Sequence, residues 1–206
     1  MVSFNRILVF FEKIKGYFLK NLYAKKIEIG RCFIILYWTE MPEFKLIKID
    51  FFDKAKIGLK KDKIFNFCRK ENKRIRELGN SIVDYFKKRK PLKFNLQDFD
   101  FSGCSKFSKQ VLIALTKIPF GKITTYKRLA ELAGFPKACR AVGSVMAKNP
   151  FPLLIPCHRV IRTDLSIGKF GPGSELKRFL LCHEISEKAF DEHTLKDRKI
   201  YNLYKV

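Results

Sequence analysis

Two stretches near the start of the chain, IEIGRCFIILYW (27–38) and FKLIKIDFF (44–52), alternate or run apolar with β-branched and aromatic residues, and Thr39 to Glu43 interrupt them. That pattern predicts an antiparallel pair of strands. RIRELGNSIVDYFKKRK then has helical spacing through Ile75, Leu78, Ile82 and Phe86, although Gly79 in its middle argues against one continuous helix. KKRKPLK and NLQDFDFSG follow as a linker ending at Gly103. Beyond it, FSKQVLIALTKI carries Phe107, Val111, Leu112 and Leu115 on one helical face, with Ser105 or Ser108 as cap and PFGK as stop. TTYKRLAELAG predicts a short helix with Leu129, Leu132 and Ala133 inward and Gly134 ending it. KACRAVGSVMAKN predicts another, with Ala138, Ala141, Val142 and Val145 on its core face. The reading is an α+β chain with an N-terminal α/β unit over 1–98 and a mostly helical unit over 99–206. Its two short helices, joined by a glycine-containing turn, form a helix-turn-helix candidate.

The outward face of the second short helix is unusual for a reader of base edges. Arg140 stands there with Gly143, Ser144 and Ala147, one long cationic side chain on a ridge of small residues. Such a ridge suits close approach to a narrow groove and insertion of a single arginine, whereas major-groove readers present several long polar side chains. Packing on another protein element, with Arg140 in a salt bridge, is the competing explanation. Charge favours a polyanionic partner: 43 Lys+Arg against 20 Asp+Glu leave +23. A lysine-rich solvated surface explains the same excess without a partner. The six cysteines are spread singly with no C-x-x-C pair, so no metal site is expected. The apolar run of five residues before Glu12 is too short for a signal peptide or a membrane span. These features predict a cytoplasmic protein with reduced thiols and no membrane attachment.

Candidate chemistry lies in NPFPLLIPCHRVI (149–161). PLLI reads as a buried strand, and Pro156 biases Ile155 toward extended geometry, which puts Cys157 where that strand emerges. Arg159 adds positive charge that would favour thiolate over thiol. His158 is the candidate base, but side chains of adjacent extended residues diverge, so a water or a turn must connect it to the sulfur. In SELKRFLLCHEI the stripe Leu176, Phe179, Leu180 and His183 leaves Glu184 at a semi-buried edge, available to orient the imidazole. Spacing alone leaves open a chance Cys-His neighbour pair. A Cys-His hydrolase is disfavoured by the lack of a glycine-rich oxyanion turn beside Cys157.

IPCHRVI, together with TTYKRLAELAG, CRAVGSVMAKNP, GKFGPG and LLCHE, resembles the C-terminal domain of the O6-alkylguanine-DNA alkyltransferases, the methylated-DNA protein-cysteine methyltransferases. The similarity runs from Phe107 to Glu184. It implies an RNase H-like N-terminal domain with a small antiparallel sheet and a winged-helix-like helix-turn-helix in the C-terminal one. It further implies that Cys157 accepts an alkyl group from O6-alkylguanine, with O4-alkylthymine as a second candidate substrate. His158 would activate the thiol through water, held by Glu184. Asn149 matches a hinge, Arg140 an intercalating finger, Tyr126 the tyrosine facing an extruded base, and Lys177 a lysine near the pocket loop. Pro152, Val160, Arg159, Phe170, Gly171 and Lys177 are expected to line the pocket, while Gly143, Ser144 and Ala147 face DNA with Arg140 and Tyr126. No cofactor or metal is implied; the implied partner is double-stranded DNA containing alkylated guanine, bound by a monomer. The alternative within the same scaffold is a non-catalytic binder of alkylated DNA, although relatives of that kind replace the cysteine. One departure stands out: the family's loop of tyrosine, one residue and two glycines reads Phe170, Gly171, Pro172, Gly173 here. The tail from Ser186 to Val206 extends past the matched region and is expected to form a surface helix.

Overall fold

A computed structural model describes residues 22–54, 71–168, 170–185 and 206. The opening stretch and nearly all of the C-terminal tail therefore lie outside the described residues. Strands β1 (Leu22–Ile29), β2 (Cys32–Thr39) and β3 (Lys45–Asp53) form an antiparallel sheet in the order β1-β2-β3. The stretch expected to be one strand is thus a hairpin. Gly30, with φ of 52°, supplies the left-handed residue of a two-residue turn, so Ile29 pairs with Cys32. Three strands replace the predicted pair.

β2 is central and buried on both faces from Cys32 to Trp38, which is why its sequence runs apolar instead of alternating. Ile34, Leu36 and Trp38 face the main core, while Phe33, Ile35 and Tyr37 cluster with Leu22, Ala24 and Phe52 on the other side. In β3 the buried positions step from Leu46 to Ile49, then to Phe51 and Asp53. The change of phase follows from a register shift at Tyr37/Trp38, where Tyr37 faces Lys48 and Trp38 faces Leu46.

Helix α1 (Lys73–Lys88) is continuous through Gly79. Asn72 caps it, its side chain accepting from the Ile75 amide, and its buried residues are Ile75, Leu78, Gly79, Ile82 and Tyr85. The core face therefore turns toward Tyr85 and leaves Phe86 half-buried. Gly79 sits against β1: a Cβ there would lie 3.2 Å from Lys25 Nζ and 3.6 Å from Ile27 Cδ1. After α1 the chain returns beside the sheet, where Leu46 and Phe99 form a parallel bridge and the Asp100 amide donates to the Leu46 carbonyl at 2.9 Å. Phe99 stacks on Phe151 at 4.7 Å between centroids, and Phe101 meets the same ring edge-on. Of the segment expected to be a linker, residues 87–91 are exposed, while Phe99 is buried and Phe94 and Phe101 pack against the core.

Helices α2 (Lys106–Thr116), α3 (Tyr126–Leu132), α4 (Cys139–Ala147) and α5 (Ser174–Ile185) make up the second half. Ser105 caps α2 by accepting from the Ser108 amide. α3 ends in a Schellman turn: Gly134 has φ of 83°, its amide bonds to the Glu131 carbonyl, and the Phe135 amide bonds to Ala130. Two faces differ from expectation. In α3 the buried residues are Leu129 and Ala130, with Leu132 exposed; in α4 they are Val142, Val145 and Met146, with Ala141 exposed. Each helix is short enough for the tilt of its neighbours to shift its inward stripe by one position. β4 (Thr124–Thr125) pairs in parallel with β5 (Val160–Ile161). One cluster of buried residues runs from Ile27 in β1 to Leu180 in α5. Among the described residues no helix is long and apolar enough to cross a membrane.

Because Lys25 Nζ is the free end of a flexible side chain, it can yield to a methyl group. Gly79→Ala is expected to raise the unfolding free energy by about 0.5–1 kcal/mol, measured by urea denaturation, since alanine restricts the unfolded chain more than glycine does.

Candidate active site around Cys157

The segment after α4 is a folded turn where a strand was predicted. Asn149 organises it: its Oδ1 accepts from the Phe151 amide at 3.0 Å, and its Nδ2 donates to the Ile155 carbonyl at 2.8 Å. The Ile155 amide bonds back to the Phe151 carbonyl at 2.9 Å, and Leu153 is held at φ of 78°. A leucine in that region is strained, and tolerated because Phe151 to Ile155 are all buried around it. The Ile49 amide of β3 donates to the Pro150 carbonyl at 2.8 Å and ties the turn to the sheet. Pro156, at φ −82° and ψ 65°, makes an inverse γ-turn in which the Cys157 amide bonds to the Ile155 carbonyl at 2.8 Å. Proline and internal hydrogen bonding override the β-propensity of Leu153 to Ile155. Cys157 accordingly opens a one-turn 3₁₀ helix, Cys157–Arg159, before β5 begins.

Cys157 is 4% exposed, and its Sγ accepts a hydrogen bond from Asn149 Nδ2 at 3.1 Å. Burial pushes the thiol above its usual pKa, against the lowering effects of Asn149 and the Lys177 charge. The resting group is therefore a neutral thiol. The expected thiolate-favouring charge of Arg159 is not found, because that side chain points elsewhere. Arg159 is buried, with Nε and Nη2 bonded to Glu184 at 2.7 and 2.9 Å and Nη1 to the Ile118 carbonyl at 2.6 Å. Its fork is fully used on the carboxylate side. The cation near the sulfur is Lys177, wholly buried, with Nζ on the Val160 carbonyl at 2.5 Å. Burial lowers its pKa to about 8.

His158 is fully buried, and its Nε2 lies 2.8 Å from Glu184 Oε1. Burial opposes charge on the imidazole and lowers its pKa, so the ring is neutral. Burial also pushes the Glu184 carboxyl up, but hydrogen bonds from His158 and Arg159 and the charge of the Arg159 guanidinium outweigh it and hold the acid well below the usual range. A neutral imidazole facing an ionised carboxylate donates its Nε2 proton and keeps Nδ1 as an acceptor. Nδ1 is buried without a hydrogen-bond partner among the described residues. Cys157 and His158 make no direct hydrogen bond: the sulfur is bonded to Asn149 and the imidazole to Glu184.

β4–β5 pairing sets the other wall. Thr124 lies opposite Val160 and Thr125 opposite Ile161, so the start of α3 stands beside Cys157. Thr125 caps α3 through the Arg128 amide, and Tyr126 follows directly, half-buried, its phenol pKa raised by burial and by its proximity to Cys157. A Cβ on Gly143 would touch the Tyr126 ring at 4.0 Å, and one on Gly168 would sit 3.3 Å from its hydroxyl. Gly171 faces the end of α4, 3.9 Å from the Ala147 carbonyl by the same measure, and Phe170 packs on the core beside it. Pro152 and Val160 are buried within the turn and β5. Arg140, Ser144 and Ala147 are exposed on α4, and Arg140 makes no ion pair among the described residues. No group of three His, Cys, Asp or Glu arranged for a metal occurs among the described residues.

On α5 the buried stripe is Leu176, Lys177, Leu180, Leu181, Glu184 and Ile185, while Phe179 and His183 are half-buried. Glu184 thus lies within the stripe, not at its edge. Three of its donors were not anticipated: the Arg159 guanidinium, the Tyr85 hydroxyl at 2.7 Å and the Gly121 amide at 3.3 Å. Tyr85 was legible as the position three after Ile82 on the buried face of α1. Gly121 carried no signal.

Fold and site together define an α+β protein that buries a cysteine–histidine–glutamate constellation behind a pair of short helices. A family model described as 6-O-methylguanine DNA methyltransferase, DNA binding domain, matches residues 106–186. The methylated-DNA–protein-cysteine methyltransferase of Rattus norvegicus is 55% identical over 80 residues, 38% of each chain. That of Methanosarcina barkeri is 38% identical over 115 residues, covering 54% of this chain and 69% of its own. The chain belongs to the methylated-DNA–protein-cysteine methyltransferase family. Among solved structures, the Mycobacterium tuberculosis O6-methylguanine methyltransferase superposes with a TM-score of 0.63 at 23% identity, over 82% of this chain and 99% of that one. The same organism's OGT in complex with DNA gives 0.58 at 25% identity over 85% and 99%. The chain matches only 38% of the rat relative's length.

The pH dependence of stability follows from the His158–Glu184 pair. Both groups have depressed pKa values in the fold, so below its ordinary pKa each takes up a proton more readily in the unfolded chain. Their contributions are complete above about pH 6.5 for His158 and about pH 4.3 for Glu184. Unfolding free energy from urea titrations is expected to fall as pH drops below about 6.5 and more steeply below about 4.3, with the first phase missing in His158→Gln.

Proposed function

We propose that this protein repairs DNA by transferring the alkyl group of O6-alkylguanine irreversibly to Cys157. The observation that carries the reading is the neutral, buried Cys157 thiol beside His158, whose Nδ1 is buried without a partner among the described residues while Nε2 is committed to Glu184. That arrangement supports general-base activation through a water, and family membership points to the substrate class. A thiol with 4% exposure cannot reach a base inside a duplex, so the nucleotide must be extruded into the protein. Pairing weakened by the lesion reduces that cost.

In the reaction the thiol proton passes by way of water to His158, and Glu184 stabilises the imidazolium. The sulfur attacks the alkyl carbon in line, the C–O6 bond breaks, and its electron pair leaves with guanine. Tyr126 stands beside Cys157 to supply a proton to the departing base. A thioether has no leaving route, so each chain acts once and needs no cofactor. Exposed Arg140 on the small-residue face of α4 is the finger that fills the space left in the stack, with Gly143, Ser144 and Ala147 against the minor groove. Phe170 in place of the family's loop tyrosine removes a hydroxyl from the pocket rim, while the transfer chemistry stays intact. O4-alkylthymine, which presents a similar exocyclic ether, is the second candidate substrate. On the same reading α3 and α4 with β4–β5 act as the winged-helix-like DNA-binding unit, and the β1–β3 sheet with α1 as the RNase H-like one. The partner is double-stranded DNA, met by a monomer in a reducing cytoplasm that preserves the free thiol.

Incubation with a duplex carrying O6-methylguanine labelled in its methyl group should place one label on each intact chain, read by mass spectrometry, and Cys157→Ala should take up none. Binding of the duplex by the unaltered protein without any label would support the non-catalytic alternative. Arg140→Ala should slow repair of duplex by about tenfold or more while changing reaction with free O6-alkylguanine base by less than about twofold; equal losses would remove the finger role.

A further inference from the structure

Glu184 draws on a residue that the transfer chemistry does not use. Tyr85, on α1 and 99 positions away, is wholly buried and donates its hydroxyl to Oε1 at 2.7 Å. Its ring is held edge-on by Phe86 and Phe120, with centroids 4.9 and 5.7 Å away, and lies against His183 at 5.0 Å. The Tyr85 carbonyl accepts from His183 Nε2 at 2.8 Å, so backbone and side chain of one residue both grip α5. Burial pushes the phenol well above its ordinary pKa, which keeps it a donor at every working pH.

Oε1 receives Tyr85, His158 and Arg159 Nη2, and Oε2 receives Arg159 Nε and the Gly121 amide. A carboxylate shared in this way has its orientation set by all its donors. We propose that Tyr85 is a positioning residue for the Cys157–His158 relay: its hydroxyl fixes the Oε1 edge of Glu184 against His158 Nε2, and so holds the imidazole in the tautomer that leaves Nδ1 as the base. The inference rests on the alkyl-transfer reading for its kinetic consequence, but not for its effect on His158.

Removing that hydroxyl leaves Oε1 with two donors and more negative charge to share with the imidazole, which makes His158 easier to protonate. The groups that face His158 are Glu184 and Lys177 from α5 and Arg159 from its own turn; Cys157 adjoins it. Facing Tyr85 from β2 is Cys32, whose thiol burial pushes up to about 11, so it stays neutral. None of these groups replaces the lost donor.

The test is Tyr85→Phe in the full chain, which keeps the ring and its packing. Two quantities are followed against pH: the ¹⁵N chemical shifts of the His158 ring and the rate of methyl transfer from labelled duplex. The His158 midpoint and the acid limb of the rate profile are both expected to rise by about one pH unit, with about tenfold slower transfer below the limb. Ile82→Val, which trims the same buried face of α1 without touching Glu184, should lower stability and leave both midpoints in place. Unchanged His158 titration in Tyr85→Phe overturns the proposal, whatever its stability. If the unaltered protein takes up no label, the transfer reading fails while the His158 titration still decides the role of Tyr85.

Discussion

A buried carboxylate is the constraint around which the second half of this protein is arranged. Glu184 is 5% exposed, and it is tolerable only because a guanidinium, an imidazole, a phenol and a backbone amide converge on its two oxygens. Those donors come from α1, from the loop before β4 and from the turn that carries Cys157. The same contacts that neutralise the charge therefore dock α5, orient His158 and bring the first half of the chain to the site. Losing one partner would strand Arg159 or Glu184 in the interior, so the network stands or falls nearly as a unit.

Much of the site was legible in sequence because its chemistry is local. Cys157 and His158 were singled out by the order of residues around IPCHRVI and the small-residue face of α4 by helical period, whereas Asn149 and Lys177 came only from the family resemblance. The errors share one cause: tertiary contacts outweighed local preference. PLLI has the composition of a strand, but hydrogen bonds from Asn149 fold it into a turn. Arg159 has the right charge to help a thiol, yet its geometry serves Glu184 better. Gly79 argued against a continuous helix, but packing of the buried face of α1 outweighs its low propensity. Tyr85 and Gly121 reach Glu184 across 99 and 63 positions, a distance over which periodicity carries no information.

The basic side chains around the site are used in opposite ways. Arg140 is exposed on α4 without an ion pair among the described residues. Arg159 and Lys177 are spent internally on Glu184 and the Val160 carbonyl. Net charge therefore overstates how much cationic surface a partner meets near the cysteine.

On the proposed single transfer, the burial of Cys157 has a further meaning. Oxidants and stray electrophiles in a cell consume thiolates far faster than thiols. A sulfur kept neutral by its surroundings and released only when a base draws off its proton behaves as a round in a closed chamber. Its shelf life is set by how seldom the turn from Asn149 to Cys157 opens, so the strained Leu153 backbone and the Asn149 hydrogen bonds govern longevity as well as geometry.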